Sequence, residues 1–142
     1  MYGVESFVHP RYQGCGIGST LMDARFDLAR RLNLRGMVAG SMIMDYHTVA
    51  DTMSAAQYVR EVVAGQRFDT NLSKQLRKGF RVRNLIPNYA YDPRTLNWAV
   101  AIVWHNPAYR ADQPILRVAQ PGRYIVPLRS KRATATLRRV RA

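Results

Sequence analysis

The sequence predicts an α/β fold on the strength of three observations. A short segment of alternating character, residues 4–8, precedes a glycine-rich turn. Apolar residues recur at helical spacing directly after that turn, and two later segments that read as strands follow each other along the chain. Strand and helix patterns that succeed one another in this way are typical of an α/β domain.

The first predicted strand covers Val4–Val8, in which alternate residues point to opposite sides. Pro10 ends it, because proline cannot continue a strand ladder. After the glycine-rich turn, a helix is expected to begin at Ser19 or Thr20 and to run to about Leu32, since leucine and methionine recur there on one face.

The later elements are predicted from capping residues and from runs of apolar residues. They are a strand at Met37–Ala39, a helix between an N-cap at Ser54 and a stop at Gly65, a helix at Asn71–Lys78, and strands at Phe80–Ile86 and Trp98–Val103. Beyond Pro107 the sequence shows no periodicity. The region after Pro121 is predicted to be a linker or a partly disordered tail.

The chain is strongly basic. Its 142 residues carry a formal net charge of +13, and nine Arg or Lys residues but one acid, Asp112, lie between Tyr109 and the end. Such a charge attracts polyanions, so we expect the tail to bind them without sequence preference.

The single cysteine excludes an internal disulfide, and no apolar stretch is long enough to span a bilayer. A cytoplasmic protein is therefore expected.

Three glycines stand at alternate positions, 14, 16 and 18, between the first strand and the first helix. Glycine permits positive φ angles and lets a ligand approach the backbone, and a helix N-terminus favours an anion. A pyrophosphate is therefore a suitable ligand. A dinucleotide-binding fingerprint would need glycine where Ser19 stands, and no Gly-Lys-Ser/Thr of a P-loop occurs. A plain tight turn is the alternative.

The stretch Val8–Leu21 resembles, almost position by position, the acetyl-CoA motif of the GNAT acyltransferases: a strand, His-Pro, then Gln-Gly-x-Gly-x-Gly and a helix. The resemblance implies a partial GNAT fold, a mixed β-sheet flanked by helices. It also implies that this stretch binds acetyl-CoA, with main-chain groups of Phe7 and Val8 along the pantetheine arm and backbone amides from about Gly14 to Ser19 on the pyrophosphate. The cofactor-binding residues that it implies are Phe7, Val8, Gln13, Gly14, Cys15, Gly16, Ile17, Gly18 and Ser19.

The likeness extends from Val4 to Pro107. Leu76–Phe80 is similar to the family's late helix that ends in Gly-Phe, and the stretch from Asp45 to Pro107 is similar to GNAT domains that precede a carbon–nitrogen hydrolase domain. This divides the chain into a partial acyl-CoA-binding domain, residues 1–107, and a basic linker or tail, residues 108–142. The strands and helices that the family places before the glycine loop are missing, so a fragment that is inactive alone is expected.

The catalytic residues are less well indicated. Many GNAT enzymes carry a tyrosine, the general acid, four residues before the late Gly-Phe glycine, and here that position is Gln75. Tyr89 is a candidate acid on a nearby loop, and Glu5 is a candidate base on the first strand, although packing and surface roles are more common for such residues. The three histidines have no ligand spacing, so no metal is expected.

Three functions remain open at this point. The first is transfer of an acetyl group from acetyl-CoA to an amine by an N-acyltransferase. The second is a non-catalytic CoA-binding or regulatory domain of a hydrolase, which Gln75 favours. The third is a basic nucleic-acid-binding protein, which the charge alone supports, because no recognised nucleic-acid-binding motif accompanies it.

Overall fold

The computed structural model describes residues 1–3, 6–117 and 126–128. In chain order the strands and helices are β1 (Tyr2–Gly3), α1 (Ile17–Arg31), β2 (Gly36–Met42), α2 (Ala55–Val63), α3 (Leu72–Arg77), β3 (Arg81–Ile86), β4 (Ala99–His105), β5 (Ile115–Arg117) and β6 (Val126–Leu128). Two short 3-10 turns lie at Pro10–Tyr12 and Tyr46–Thr48.

The main sheet is mixed, as predicted. Its four strands lie in the order β1-β2-β4-β3. β1 is parallel to β2, whereas β4 is antiparallel to both of its neighbours. The β2–β4 ladder is the longest, running from Gly36 opposite His105 to Met42 opposite Ala99.

One face of this sheet forms the core. Met37, Ile102 and Trp104 on that face pack in one cluster with residues of all three helices, such as Phe26 and Tyr58. The Phe26 and Trp104 rings are stacked, with centroids 4.3 Å apart. On the opposite face Val38 is 44% exposed. The helices therefore cover the core face, and the opposite face, called the open face, is exposed at Val38 although Ala99 near its end is buried.

The first strand differs from the prediction. The described strand residues are Tyr2–Gly3, and the chain from Ser6 to His9 is not in a strand, although the prediction extended the strand to Val8. Val4 and Glu5 lie outside the described residues. Alternation predicts a strand only if a neighbour completes the ladder. Here the described pairing with β2 covers Tyr2 and Gly3, and the chain beyond Ser6 leads into the turn at Pro10.

The first two long helices follow their capping residues. α1 begins at Ile17, earlier than predicted, because Gly16 takes the N-cap position with a φ of +81° and Gly18 lies inside the first turn. α2 begins where predicted, since the Ser54 side chain accepts a hydrogen bond from the Gln57 backbone N–H at 3.2 Å. The side chain of Gln57 bonds Glu61 instead of completing a capping box.

Asp69 forms a buried polar centre that the sequence did not indicate. Its side chain is fully buried and accepts hydrogen bonds from the Tyr58 hydroxyl at 2.8 Å and from the backbone N–H groups of Leu72, Asn71 and Asp45 at 2.7, 2.9 and 3.1 Å. Burial and the neighbouring carboxylate raise the pKa of the Tyr58 hydroxyl above its usual 10.0. This carboxylate links α2, α3 and the segment after β2.

The chain after β4 docks against the end of α1. Asn33 donates from Nδ2 to the carbonyl oxygens of Arg110 and Gln113 at 2.8 and 2.9 Å, and the Leu116 N–H donates to the Leu32 carbonyl oxygen at 3.0 Å. β5 and β6 then form an antiparallel pair. The sequence predicted neither strand. Most of the predicted tail lies outside the described residues, and the division at residue 107 stays a prediction.

Candidate functional site

The glycine loop lies between the turn at Pro10 and the start of α1. The His9 side chain accepts a hydrogen bond from the Arg11 N–H at 3.3 Å, which holds the turn. Gln13 donates from Nε2 to the Val8 carbonyl oxygen at 3.0 Å. The two ends of the segment before the loop are therefore tied together, and the position of the loop relative to Val8 is set by a side chain.

Two of the three glycines supply the backbone conformation expected of them. Gly14 and Gly16 have φ angles of +80° and +81°, a region that other L-residues rarely adopt. A Cβ atom on either would meet no heavy atom within 4 Å, so the space above them is open. Gly18 has a helical role, and a Cβ there would lie 3.9 Å from the Val8 side chain. A bulky group can therefore approach the backbone at 14 and 16.

The N-terminus of α1 opens onto this same space. Gly16, the N-cap, has no side chain to bond the first N–H groups of the 15-residue helix. All residues from Arg11 to Thr20 are exposed. Free N–H donors at the positive end of a helix attract an anion such as a phosphate. The loop and helix together have the conformation, the space and the donors for a pyrophosphate.

The predicted pantetheine contacts stand beside the loop. Val8 is partly buried, whereas Phe7 is 72% exposed. Cys15 is exposed within the loop. Neither the role of these residues nor that of the loop backbone is tested by the geometry alone, so each stays a prediction.

The strand that precedes the loop pairs with β2. Among the described residues, Tyr2 lies opposite Val38 and Gly3 opposite Ala39. Gly40 is the next residue of β2, and the ring of Tyr89 lies directly against it, because a Cβ atom on Gly40 would overlap the Tyr89 ring and hydroxyl. The hydroxyl oxygens of Tyr89 and Tyr2 are 3.3 Å apart. These three residues lie together on the open face of the sheet.

The candidate catalytic residues have different surroundings. Tyr89 is partly buried, and its hydrogen bond to Tyr2 and its burial raise its pKa above the usual 10.0. Gln75 is partly buried on α3, and its Oε1 atom is buried without a hydrogen-bond partner. An amide cannot serve as a general acid at neutral pH. Glu5 lies outside the described residues, so its candidacy as a base stays a prediction.

Sequence reasoning missed Tyr2 and Gly40. Gly40 carried a readable signal, because a glycine inside a strand often marks a close approach by another group. Nothing local indicated Tyr2, which contacts Tyr89 across 87 positions of sequence.

Other features of the described residues do not add to this site. No group of three His, Cys, Asp or Glu residues among them could hold a metal ion. In the same residues no helix is both long enough and apolar enough to cross a membrane. A shallow groove of about 380 Å³ lies between α2 and α3, and none of the predicted site residues lines it.

The fold is an α/β domain with a glycine-rich loop at the start of its first long helix, and comparison with known proteins identifies its family. Residues 2–50 match the model of the acetyltransferase (GNAT) family. Two Bacillus subtilis proteins are similar in sequence. The chain is 42% identical over 114 residues to Probable hydrolase YhcX, covering 80% of this chain and 22% of that protein. It is 34% identical over 110 residues to Uncharacterized N-acetyltransferase YkwB, covering 78% of this chain and 49% of that protein.

Two solved structures share the fold. The GphF GNAT-like decarboxylase, in complex with isobutyryl-CoA, superposes with a TM-score of 0.58 at 23% identity over 69% of this chain and 51% of that one. The loading GNATL domain of CurA from Lyngbya majuscula superposes with a TM-score of 0.59 at 16% identity, over 73% of this chain and 53% of that one. The chain belongs to the GNAT superfamily. It spans about half, or less, of the length of each of these relatives.

Proposed function

We propose that this chain is the acyl-CoA-binding part of an N-acyltransferase that transfers an acetyl group from acetyl-CoA to an amine. The observation that carries the proposal is the loop at Gly14 and Gly16, with its left-handed backbone, its open space and its uncapped helix. Membership of the GNAT superfamily supports acyl transfer, and the name of YkwB supports an N-acetyltransferase. The isobutyryl-CoA bound to GphF supports a CoA thioester as the donor.

In this proposal the backbone N–H groups of residues 14–19 bind the pyrophosphate, and the segment at Phe7 and Val8 lies along the pantetheine arm. The amine attacks the thioester carbonyl carbon, so that a C–N bond forms and the C–S bond breaks. The nitrogen loses a proton and the sulfur gains one. Tyr89 is the candidate donor of that proton, because a tyrosine hydroxyl is protonated at neutral pH and this one lies beside the Tyr2 hydroxyl on the open face of the sheet. Glu5 is the candidate base.

A second function is favoured by Gln75, which occupies the position where many GNAT enzymes carry the tyrosine that acts as general acid. It is a non-catalytic CoA-binding domain joined to a hydrolase domain in a longer protein. The similarity to Probable hydrolase YhcX, of which this chain covers 22%, supports such a link. The two functions differ in turnover but share the same loop.

The loop is tested by a pair of matched glycine substitutions. Gly16→Val should abolish CoA binding, because a branched side chain closes the space that the phosphate needs. Gly65→Val is the control, since Gly65 has a φ of +74° and equally open space at the end of α2. Both variants carry comparable backbone strain, so a loss confined to Gly16→Val is specific to the loop. Equal CoA affinity for Gly16→Val and the unchanged chain, by calorimetry, would refute the loop assignment.

Turnover separates the two functions. Acetyl-CoA and a panel of amines are incubated with the protein, and free thiol is measured over time. Sustained thiol release that depends on Gly16 supports the enzyme. CoA binding without thiol release across the panel supports the non-catalytic domain.

A further inference from the structure

The position of Tyr89 on Gly40 bears on which acyl group the site accepts. Gly40 follows Val38 by two residues, so both point to the open face of the sheet. The place that a side chain at position 40 would occupy is filled by the Tyr89 ring and hydroxyl. A residue larger than glycine cannot stand there while Tyr89 keeps its place.

Several contacts hold Tyr89 in that place. Its backbone N–H donates to the Asn97 carbonyl oxygen at 2.9 Å, and its hydroxyl pairs with that of Tyr2 on the neighbouring strand. The loop that carries it contains three non-glycine residues with positive φ, Asn88, Leu96 and Asn97. Such strained conformations persist only where contacts with the surrounding structure hold them in place, and they are common at ligand-binding sites.

Chain geometry brings the ring to the end of a bound pantetheine arm. Gly3 precedes Val8 by five residues, a path of at most about 18 Å. A pantetheine that lies along Phe7 and Val8 and runs away from the loop is an extended chain of comparable reach. Its thioester then arrives at the described β1–β2 pair, beside Gly3 and Gly40. On this face the side-chain position of Gly40 is filled by Tyr89, so the Tyr89 ring limits the free space there.

We infer that Tyr89, seated on Gly40 and bonded to Tyr2, limits the acyl group to a short, unbranched chain such as acetyl. The inference rests on the proposed CoA site and names its acyl class. An aromatic ring with two rotatable bonds is a rigid wall. The hydroxyl pair has two hydrogens and needs only one for its mutual bond, so the second is available to the thioester carbonyl oxygen.

The test compares the affinity of the full chain for acetyl-CoA and isobutyryl-CoA by calorimetry. The unchanged chain should bind acetyl-CoA about tenfold more tightly. Tyr89→Ala should reduce that ratio to about threefold or less, and Tyr89→Leu, which keeps more of the packing, should give an intermediate ratio. Tyr89→Phe should keep the full ratio, because the ring remains. Tyr91→Ala is the control on the same loop, since Tyr91 is 90% exposed.

Two failures have different meanings. If the unchanged chain binds neither thioester nor free CoA, the proposed function fails and the acyl limit fails with it. If CoA binds but the unchanged chain does not distinguish the thioesters, or Tyr89→Ala and Tyr89→Leu leave the ratio unchanged, the acyl limit alone is overturned. Free CoA has no acyl group, so its affinity should be the same in all Tyr89 variants. A selective loss of free CoA affinity in these variants would also overturn the inference.

Discussion

The hydrogen bond between Tyr58 and Asp69 offers the most direct test of what holds the helices together. Tyr58→Phe removes the hydroxyl that donates to a fully buried carboxylate at 2.8 Å and leaves the ring in place. A hydrogen bond to a charged group contributes about 1.5–3 kcal/mol. Three backbone donors still serve Asp69 after the change, so we expect a loss near the lower half of that range, about 2 kcal/mol.

Thermal unfolding should show this loss as a decrease in Tm of about 7 °C, given the size of the chain. Tyr46→Phe is a matched control, because the buried Tyr46 hydroxyl donates to a neutral partner, the Met53 carbonyl oxygen, at 3.1 Å. A neutral hydrogen bond contributes about 1 kcal/mol, so this variant should lose about half as much. If Tyr46→Phe destabilises the protein as much as Tyr58→Phe, the charged bond has no special role and the reasoning is refuted.

The same pair predicts how stability changes at high pH. The folded-state pKa of Tyr58 is raised above its usual 10.0, so the unfolded chain releases this proton first. The stabilisation is complete below pH 10 and is lost as the pH rises above that value. Denaturant unfolding between pH 9 and about pH 11 should therefore show a steeper decline for the unchanged chain than for Tyr58→Phe. Parallel declines would contradict the assignment.

Two further predictions concern the sheet and the tail. Gly36→Ala should destabilise the protein by about 1–3 kcal/mol, measured by denaturant unfolding, because a Cβ atom there would overlap the backbone carbonyl of Trp104 on the paired strand; an unchanged midpoint would show that the β2–β4 register is wrong. Removing the residues after Pro121 should eliminate polyanion binding that weakens steeply with salt, measured by titration with DNA of unrelated sequences; tight, salt-insensitive and sequence-selective binding would instead favour a nucleic-acid function.

Elements with local signals could be predicted from the sequence. The Ser54 side chain accepts a hydrogen bond from the backbone N–H three residues later, so four consecutive residues are enough to predict where α2 begins. β3 and β4 are continuous strands, and their ends differ from the predicted ends by one or two residues. These signals depend on backbone preferences and neighbouring side chains, which a sequence displays directly.

Elements that depend on distant partners could not be predicted. The described part of β1 depends on Tyr2 and Gly3 meeting Val38 and Ala39 of β2, which are distant in sequence. The docking of the chain after β4 depends on Asn33, whose amide bonds carbonyl groups about 80 positions away. No periodicity marks such a contact, since side-chain to backbone bonds require no repeat.

The candidate site shows the same division. The sequence by itself determined the loop, because the conformational freedom of Gly14 and Gly16 and the start of the helix after them are properties of a few consecutive residues. Only the tertiary structure decided that Tyr89 rests on Gly40 and bonds Tyr2. That contact requires the register of two strands and the path of a long loop to agree. Those positions are set by the packing of the whole sheet, and no local pattern encodes them.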